Sequence, residues 1–220
     1  MEFVNFLSHL VAPLNRTLFA FGEDQVTTAE ILGFLTGIWC VWLTVRARVS
    51  NFPVGLANDA FFFILFLAAR LYADAALQIV YFGLGAMGWY AWVHADGRVI
   101  RPTSRAGRGE LLWLLAFVIV ATAFLTWLLS RVHDVAPFLD ALTTALSLAA
   151  QWLLNFKKVQ NWYFWIAADC IYIPLYVTKH LWLTSIVYVL FLALCFHGLV
   201  AWKRDLEREE ASARALQTVS

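Results

Sequence analysis

The chain has 220 residues, of which 62% are apolar and only 14% charged, and its mean hydropathy is +0.70. Soluble domains carry about 45–50% apolar and about 25% charged residues, because their surfaces need polar side chains. A soluble enzyme and a disordered chain are therefore excluded, and a net charge of +1 leaves no electrostatic footprint for nucleic acid. The composition is that of an integral membrane protein.

In chain order, Phe3, Phe6, Leu7, Leu10 and Val11 recur at helical spacing. The N-terminal interfacial segment, 1–28, is accordingly expected to open on a short helix lying on the membrane surface. It is too short and polar for a span and lacks the basic start and cleavage site of a signal peptide. Crossing a hydrocarbon core of about 30 Å takes about 20 helical residues. Seven apolar stretches meet that length: 29–46, 53–70, 74–94, 110–130, 137–155, 161–178 and 181–202. Cys40, Cys170 and Cys195 lie inside them without disulfide or zinc spacing and read as small buried residues. The segment Lys203–Arg214 alternates charge sign and reads as a solvated helical extension within a cytoplasmic tail, 205–220.

Twelve of the sixteen Lys and Arg follow spans one, three, five and seven: Arg46, Arg48, Arg98, Arg101, Arg105, Arg108, Lys157, Lys158, Lys203, Arg204, Arg208 and Arg214. Only Arg16, Arg70, Arg131 and Lys179 fall on the other side. The positive-inside rule then puts the N-terminus outside and the C-terminus in the cytoplasm.

An offset of 110 residues superimposes the chain on itself. Asn51 meets Asn161, Asp59 meets Asp169, Trp42 meets Trp152, Gly88 meets Gly198, and Ala91–Trp92 meets Ala201–Trp202, with no gap. Both copies start on the same side, so the expected architecture is all-α, a 3+1+3 parallel repeat. Residues 29–95 form the first three-helix unit, 96–136 a linker with the fourth span, and 137–204 the second unit.

Polar side chains at membrane depth cost roughly 2.5–3.5 kcal/mol, so they normally face the bundle interior or a wet cavity. Asp74, Gln78, Tyr81, Gly85 and Trp89 form one stripe of span three, and Asn161, Trp165, Asp169, Tyr172 and Tyr176 one of span six. Span seven adds Trp182, Thr184 and Tyr188, span two Asn51, Asn58 and Asp59, and span five Gln151 and Asn155. Aromatic faces stack on flat or cationic rings, and amides and carboxylates pair with hydroxyls or another amide. The guest that fits is a small, partly aromatic, hydroxyl-bearing molecule, held in a cleft between the two helical triplets. A bland reading stands beside this one: Asn, Gln and the matched Asp59 and Asp169 serve equally as glue between helices. Trp39, Trp113 and Trp127 read as packing residues. Pro174 marks a kink that could also act as a hinge.

Catalytic motifs are missing: there is no GxSxG, HExxH or Walker loop. Span seven has no mid-helix lysine for a retinal Schiff base, and no cofactor is implied. The segment Asn161-Trp162-Tyr163-Phe164-Trp165, the downstream Asp169 and the stretch from Trp182 to Lys203 resemble the PnuC vitamin transporters. The resemblance implies a bacterial inner-membrane homotrimer with a SWEET-like fold that takes up nicotinamide riboside by facilitated diffusion. Cytoplasmic phosphorylation then traps the substrate. It makes Trp165, Trp182 and Tyr188 ring-contacting aromatics. Asn161, Gln78 and Asp74 become partners of the carboxamide or ribose hydroxyls, followed by Asn155 and Asn58, with Asp169 and Tyr81 also in the pocket. The readings kept beside it are transport of thiamine or riboflavin, which relatives carry, and a membrane binding module that transports nothing.

Overall fold

The computed structural model describes residues 6, 9, 11–21, 24–94, 101–131 and 136–217. Two short antiparallel strands, β1 (Thr17–Phe21) and β2 (Asp24–Thr27), precede seven helices among these residues. The helices are α1 (Thr28–Val45), α2 (Asn51–Ala68), α3 (Tyr72–Val93), α4 (Arg108–Arg131), α5 (Pro137–Asn155), α6 (Asn161–Thr178) and α7 (Trp182–Gln217). Each expected span is matched by one helix. Four of them (α1, α2, α4 and α7 through Arg214) are long and apolar enough to cross a membrane by composition alone. The other three carry most of the buried polar stripe, which lowers their hydropathy.

The hairpin departs from the all-helical expectation. Phe19 pairs with Val26 and Phe21 with Asp24, a use of aromatic and β-branched residues that strands favour. Val26 is buried while all of β1 is exposed. Phe6 and Val11 are helical; Phe3, Leu7 and Leu10 of the expected interfacial helix lie outside the described residues, as does Arg98. Thr27 closes the hairpin and caps α1. Its hydroxyl accepts from Glu30 N at 3.2 Å, and its own N–H donates to Glu30 Oε2 at 2.8 Å, a reciprocal capping box.

Four helix ends turn in the same way. Ala47, Arg70, Lys157 and His180 take positive φ of 49°, 63°, 52° and 59°. At each, two backbone bonds close a Schellman motif: Ala47 N to Thr44 O at 2.9 Å with Arg48 N to Leu43 O at 3.0 Å, and Lys157 N to Leu154 O at 2.8 Å with Lys158 N to Leu153 O at 2.9 Å. Ala47 and Lys157, like Arg70 and His180, stand 110 residues apart. The first residues of α2 and α6 repeat a further contact, since Asn51 and Asn161 donate their side-chain amides to Arg48 O at 2.6 Å and Lys158 O at 2.7 Å.

Sequence neighbours pack side by side except α3 and α4, and two long-range pairings, α1 on α7 and α3 on α5, tie the bundle together. Helix α5 reaches three neighbours because Ala141, Ala145 and Ala149 present only methyl groups and are fully buried, which lets backbones approach. The end of the bundle that gathers Arg46, Arg101, Lys157 and Lys203, here called the basic end, is filled by Phe52, Trp92, Trp162 and Trp202. Trp92 Nε1 donates to Leu154 O at 3.0 Å, and Trp202 Nε1 to Thr44 O at 3.1 Å. Close approach calls for glycine at positions that include Gly88 and Gly198. A Cβ on Gly88 would run into Asn155 and Phe52, and one on Gly198 into the Trp162 ring.

Candidate substrate site

At the mid-length of α2 and α6 stand Asp59 and Asp169, each about 12–13 Å from either end of its helix at 1.5 Å per residue. Asp169 is buried, and its Oδ2 accepts from the Cys195 thiol at 3.5 Å. One and two turns further along α6 come Tyr172 and Tyr176, stacked at 5.5 Å. Tyr188 of α7 packs on both, at 4.8 and 5.0 Å, and Phe191 packs edge-on to Tyr188 at 5.5 Å. Ser147 of α5 lies beside both Tyr172 and Tyr81 of α3, and Thr143 lies beside Tyr172. Four helices thus meet in one tyrosine cluster with a carboxylate at its floor.

The sequence-derived candidates divide into three groups. Tyr81, Asp169 and Tyr188 are brought together in the cluster. Asp74, Gln78 and Trp182 lie toward the end opposite the basic one. Asp74 is exposed there and Gln78 half-buried. Trp182 is 40% exposed, its ring 6.5 Å from His180. Lys179 at the same end is paired with Asp140 at 3.0 Å, and both Asp74 and Asp140 act electrostatically on Tyr176. The third group is held by the protein itself. Asn155 donates to Leu84 O at 2.8 Å and accepts from Gln151 at 3.0 Å. Asn58 donates to Thr36 Oγ1 at 2.6 Å. Asn161 gives its N–H to Lys158 O, while its buried Oδ1 has no hydrogen-bond partner among the described residues. Trp165 packs against the aromatic residues of the basic end.

Thr143 and Ser147 were not anticipated. The available signal is the spacing Thr143, Ser147, Gln151 and Asn155, one polar residue every four along α5, which the alanine-rich character of that helix obscures. Trp39, Trp113 and Trp127 face outward at 54–58% exposure, where indoles meet lipid. Two cavities, of about 470 Å³ and about 130 Å³, lie at the basic end. In the cluster itself the rings touch one another, so passage there requires the tyrosines to part. Among the described residues no group of His, Cys, Asp and Glu is placed to hold a metal ion.

Apolar helices enclosing a polar cluster define a multi-pass membrane protein. The sequence model of the family described as "Nicotinamide mononucleotide transporter" matches residues 27–204, and the chain belongs to that family, placing it in the bacterial inner membrane. The Escherichia coli K12 protein named nicotinamide riboside transporter PnuC is 25% identical over 229 residues, covering 89% of this chain and 92% of the relative. The Streptomyces davaonensis riboflavin/roseoflavin transporter RibM is 25% identical over 198 residues, covering 86% and 91%. A crystal structure titled as the vitamin B3 transporter PnuC superimposes with a TM-score of 0.66 at 20% identity, covering 94% of this chain and 89% of that one. It shares the fold.

Proposed function

We propose that this protein carries nicotinamide riboside across the inner membrane by facilitated diffusion, with cytoplasmic phosphorylation trapping the substrate and feeding NAD biosynthesis. The observation that carries this reading is the Asp169–Tyr172–Tyr176–Tyr188 cluster, which runs from the mid-length of α6 toward the end opposite the basic one. A tyrosine face takes a flat cationic ring, the carboxylate offsets its charge, and the hydroxyls of Tyr81, Ser147 and Thr143 offer partners to a ribose. Trp182 and Gln78, at the opposite mouth, serve as first contacts. Asn155, Asn58, Asn161 and Trp165 then hold the helices that must move. The spans contain no buried Lys or Arg ladder, so a phosphorylated nucleotide lacks counter-charges.

The architecture proposed with it is the 3+1+3 parallel repeat of a SWEET-like fold, N-terminus outside, C-terminus cytoplasmic, assembled as a homotrimer. The repeat is supported by the paired Schellman turns at Ala47 and Lys157, the paired amide caps of Asn51 and Asn161, and the paired glycines 88 and 198. The orientation is supported by the gathering of cations at the basic end. A second reading, riboflavin transport, draws on the 25% identity to the Streptomyces protein. The test is counterflow in proteoliposomes holding purified protein: labelled nicotinamide riboside should exchange, and riboflavin in tenfold excess should not compete. Exchange of riboflavin alone would transfer the assignment, and exchange of neither would favour the non-transporting module.

A further inference from the structure

The larger cavity is a groove between the C-terminal end of α1 and the flank of α7, lined by Trp42, Val45, Arg46, Leu194, His197, Ala201 and Asp205. Its volume of about 470 Å³ falls within the roughly 300–1,000 Å³ typical of ligand sites. Along α7 it runs from Leu194 to Asp205, about 16 Å at 1.5 Å per residue, or three helical turns. Its chemistry changes along that length. Its apolar lining is Val45, Leu194 and Ala201, with His197 between the last two on the same face of α7. The mouth holds the Arg46 guanidinium, 4.8 Å from the Trp42 ring centroid.

Arg46 is exposed, and no carboxylate lies within 4.0 Å of it among the described residues. The one acid of the groove, Asp205, is already matched by Arg208 at 3.7 Å, and His197 adds a further donor. The mouth therefore presents a cation without its own counter-ion above an apolar channel.

We propose that this groove is a binding site for an anionic phospholipid of the cytoplasmic leaflet. The lipid phosphate is held by Arg46, and one acyl chain lies along Val45, Leu194 and Ala201. A diacyl lipid satisfies both halves of the groove, whereas a free anion would leave the apolar wall unfilled. Occupancy would brace α1 against α7, one of the two pairings that join the halves. The inference rests on the proposed orientation and is independent of which vitamin is carried.

Full-length protein in mild detergent, stripped of lipid and re-supplied with phosphatidylglycerol or phosphatidylcholine, is measured by native mass spectrometry and by melting temperature. One phosphatidylglycerol per protomer is expected. Its bound fraction should fall about fivefold in Arg46→Gln, the equivalent of about 1 kcal/mol per arginine at an anionic surface, and stay unchanged in Arg48→Gln, whose side chain lies outside the groove. The lipid-free melting temperature of Arg46→Gln serves as the folding control. Equal retention of phosphatidylcholine, equal loss in both variants, or the same thermal shift from inorganic phosphate would each overturn the proposal. A reporter fused after Ser220 reads the orientation separately, so a failure there is distinguishable from absent lipid binding.

Discussion

Trp92 and Trp202 lie 5.8 Å apart, centroid to centroid, and each donates its indole N–H to the end of the helix that opens the opposite half of the chain. The acceptors, Leu154 O and Thr44 O, are themselves 110 residues apart, as are the two tryptophans. The contact is therefore an exchange: the third helix of one half secures the first helix of the other, in both directions. Both side chains are fully buried, so neither carbonyl has water as an alternative partner.

Replacing either tryptophan with phenylalanine removes the donor and leaves a buried carbonyl unpaired. Each single change should lower stability by about 1–3 kcal/mol. The double variant should depart from additivity because the rings share a contact. Thermal unfolding of the purified protein in detergent reads both effects, and strict additivity would show the two bonds to be independent.

Gly198→Ala places a methyl group against the Trp162 ring, which is held on its other side by Trp202 at 5.4 Å. Overpacking of this kind costs about 1–3 kcal/mol. Gly83 has nothing within 4 Å of its would-be Cβ, so Gly83→Ala should be neutral or stabilising by up to about 1 kcal/mol. Melting temperatures should separate the two variants in opposite directions. Equal behaviour would mean that the Trp162 ring yields freely.

Asp169→Asn keeps the shape of the cluster and its thiol contact site while removing the charge. Charge-assisted contacts are worth about 1.5–3 kcal/mol, so nicotinamide riboside affinity should fall about tenfold or more, measured by calorimetry in detergent. Cys195→Ala, which touches Asp169 from behind, should change it little. Unaltered affinity in Asp169→Asn would remove the carboxylate from the substrate site.

Lys157 lies in the turn between α5 and α6, buried, with its ammonium 5.2 Å from the Trp92 ring centroid. Burial lowers its pKa from the ordinary 10.5, against the opposing pull of Asp205 and Glu209. Between the lowered value and 10.5 the unfolded chain holds more protons at this site than the folded one, so stability rises with pH across that window. Denaturation series from pH 8 to 10.5 should show the rise, and Lys157→Met should flatten it. A slope unchanged in the variant would assign the effect to other groups.

Much of the architecture was legible because bilayer thickness and hydrophobic periodicity act on sequence directly. Seven apolar stretches become seven helices, and the charged run after Trp202 extends α7 rather than ending it. The offset pairs Asn51 with Asn161 and Gly88 with Gly198 marked positions that do the same work in each half. The site was harder to read. Asn155 and Asn161 look like ligand-binding amides on a helix stripe, yet one pairs with Leu84 O and the other caps its own turn. Ser147 and Thr143 gave little signal among alanines, and they join the tyrosine cluster only because α5 packs between α3 and α6.

The amino-acid sequence alone determined that this chain lives in a membrane and, to within about two residues at their starts, the seven apolar helices that cross the bundle, since those follow from transfer of apolar surface and from local backbone preferences. Only the tertiary structure decided which partner each buried polar group meets. Hydrogen bonds such as Trp92 to Leu154 and Trp202 to Thr44 join residues 62 and 158 positions apart, and nothing in local periodicity specifies which distant carbonyl a buried donor will meet.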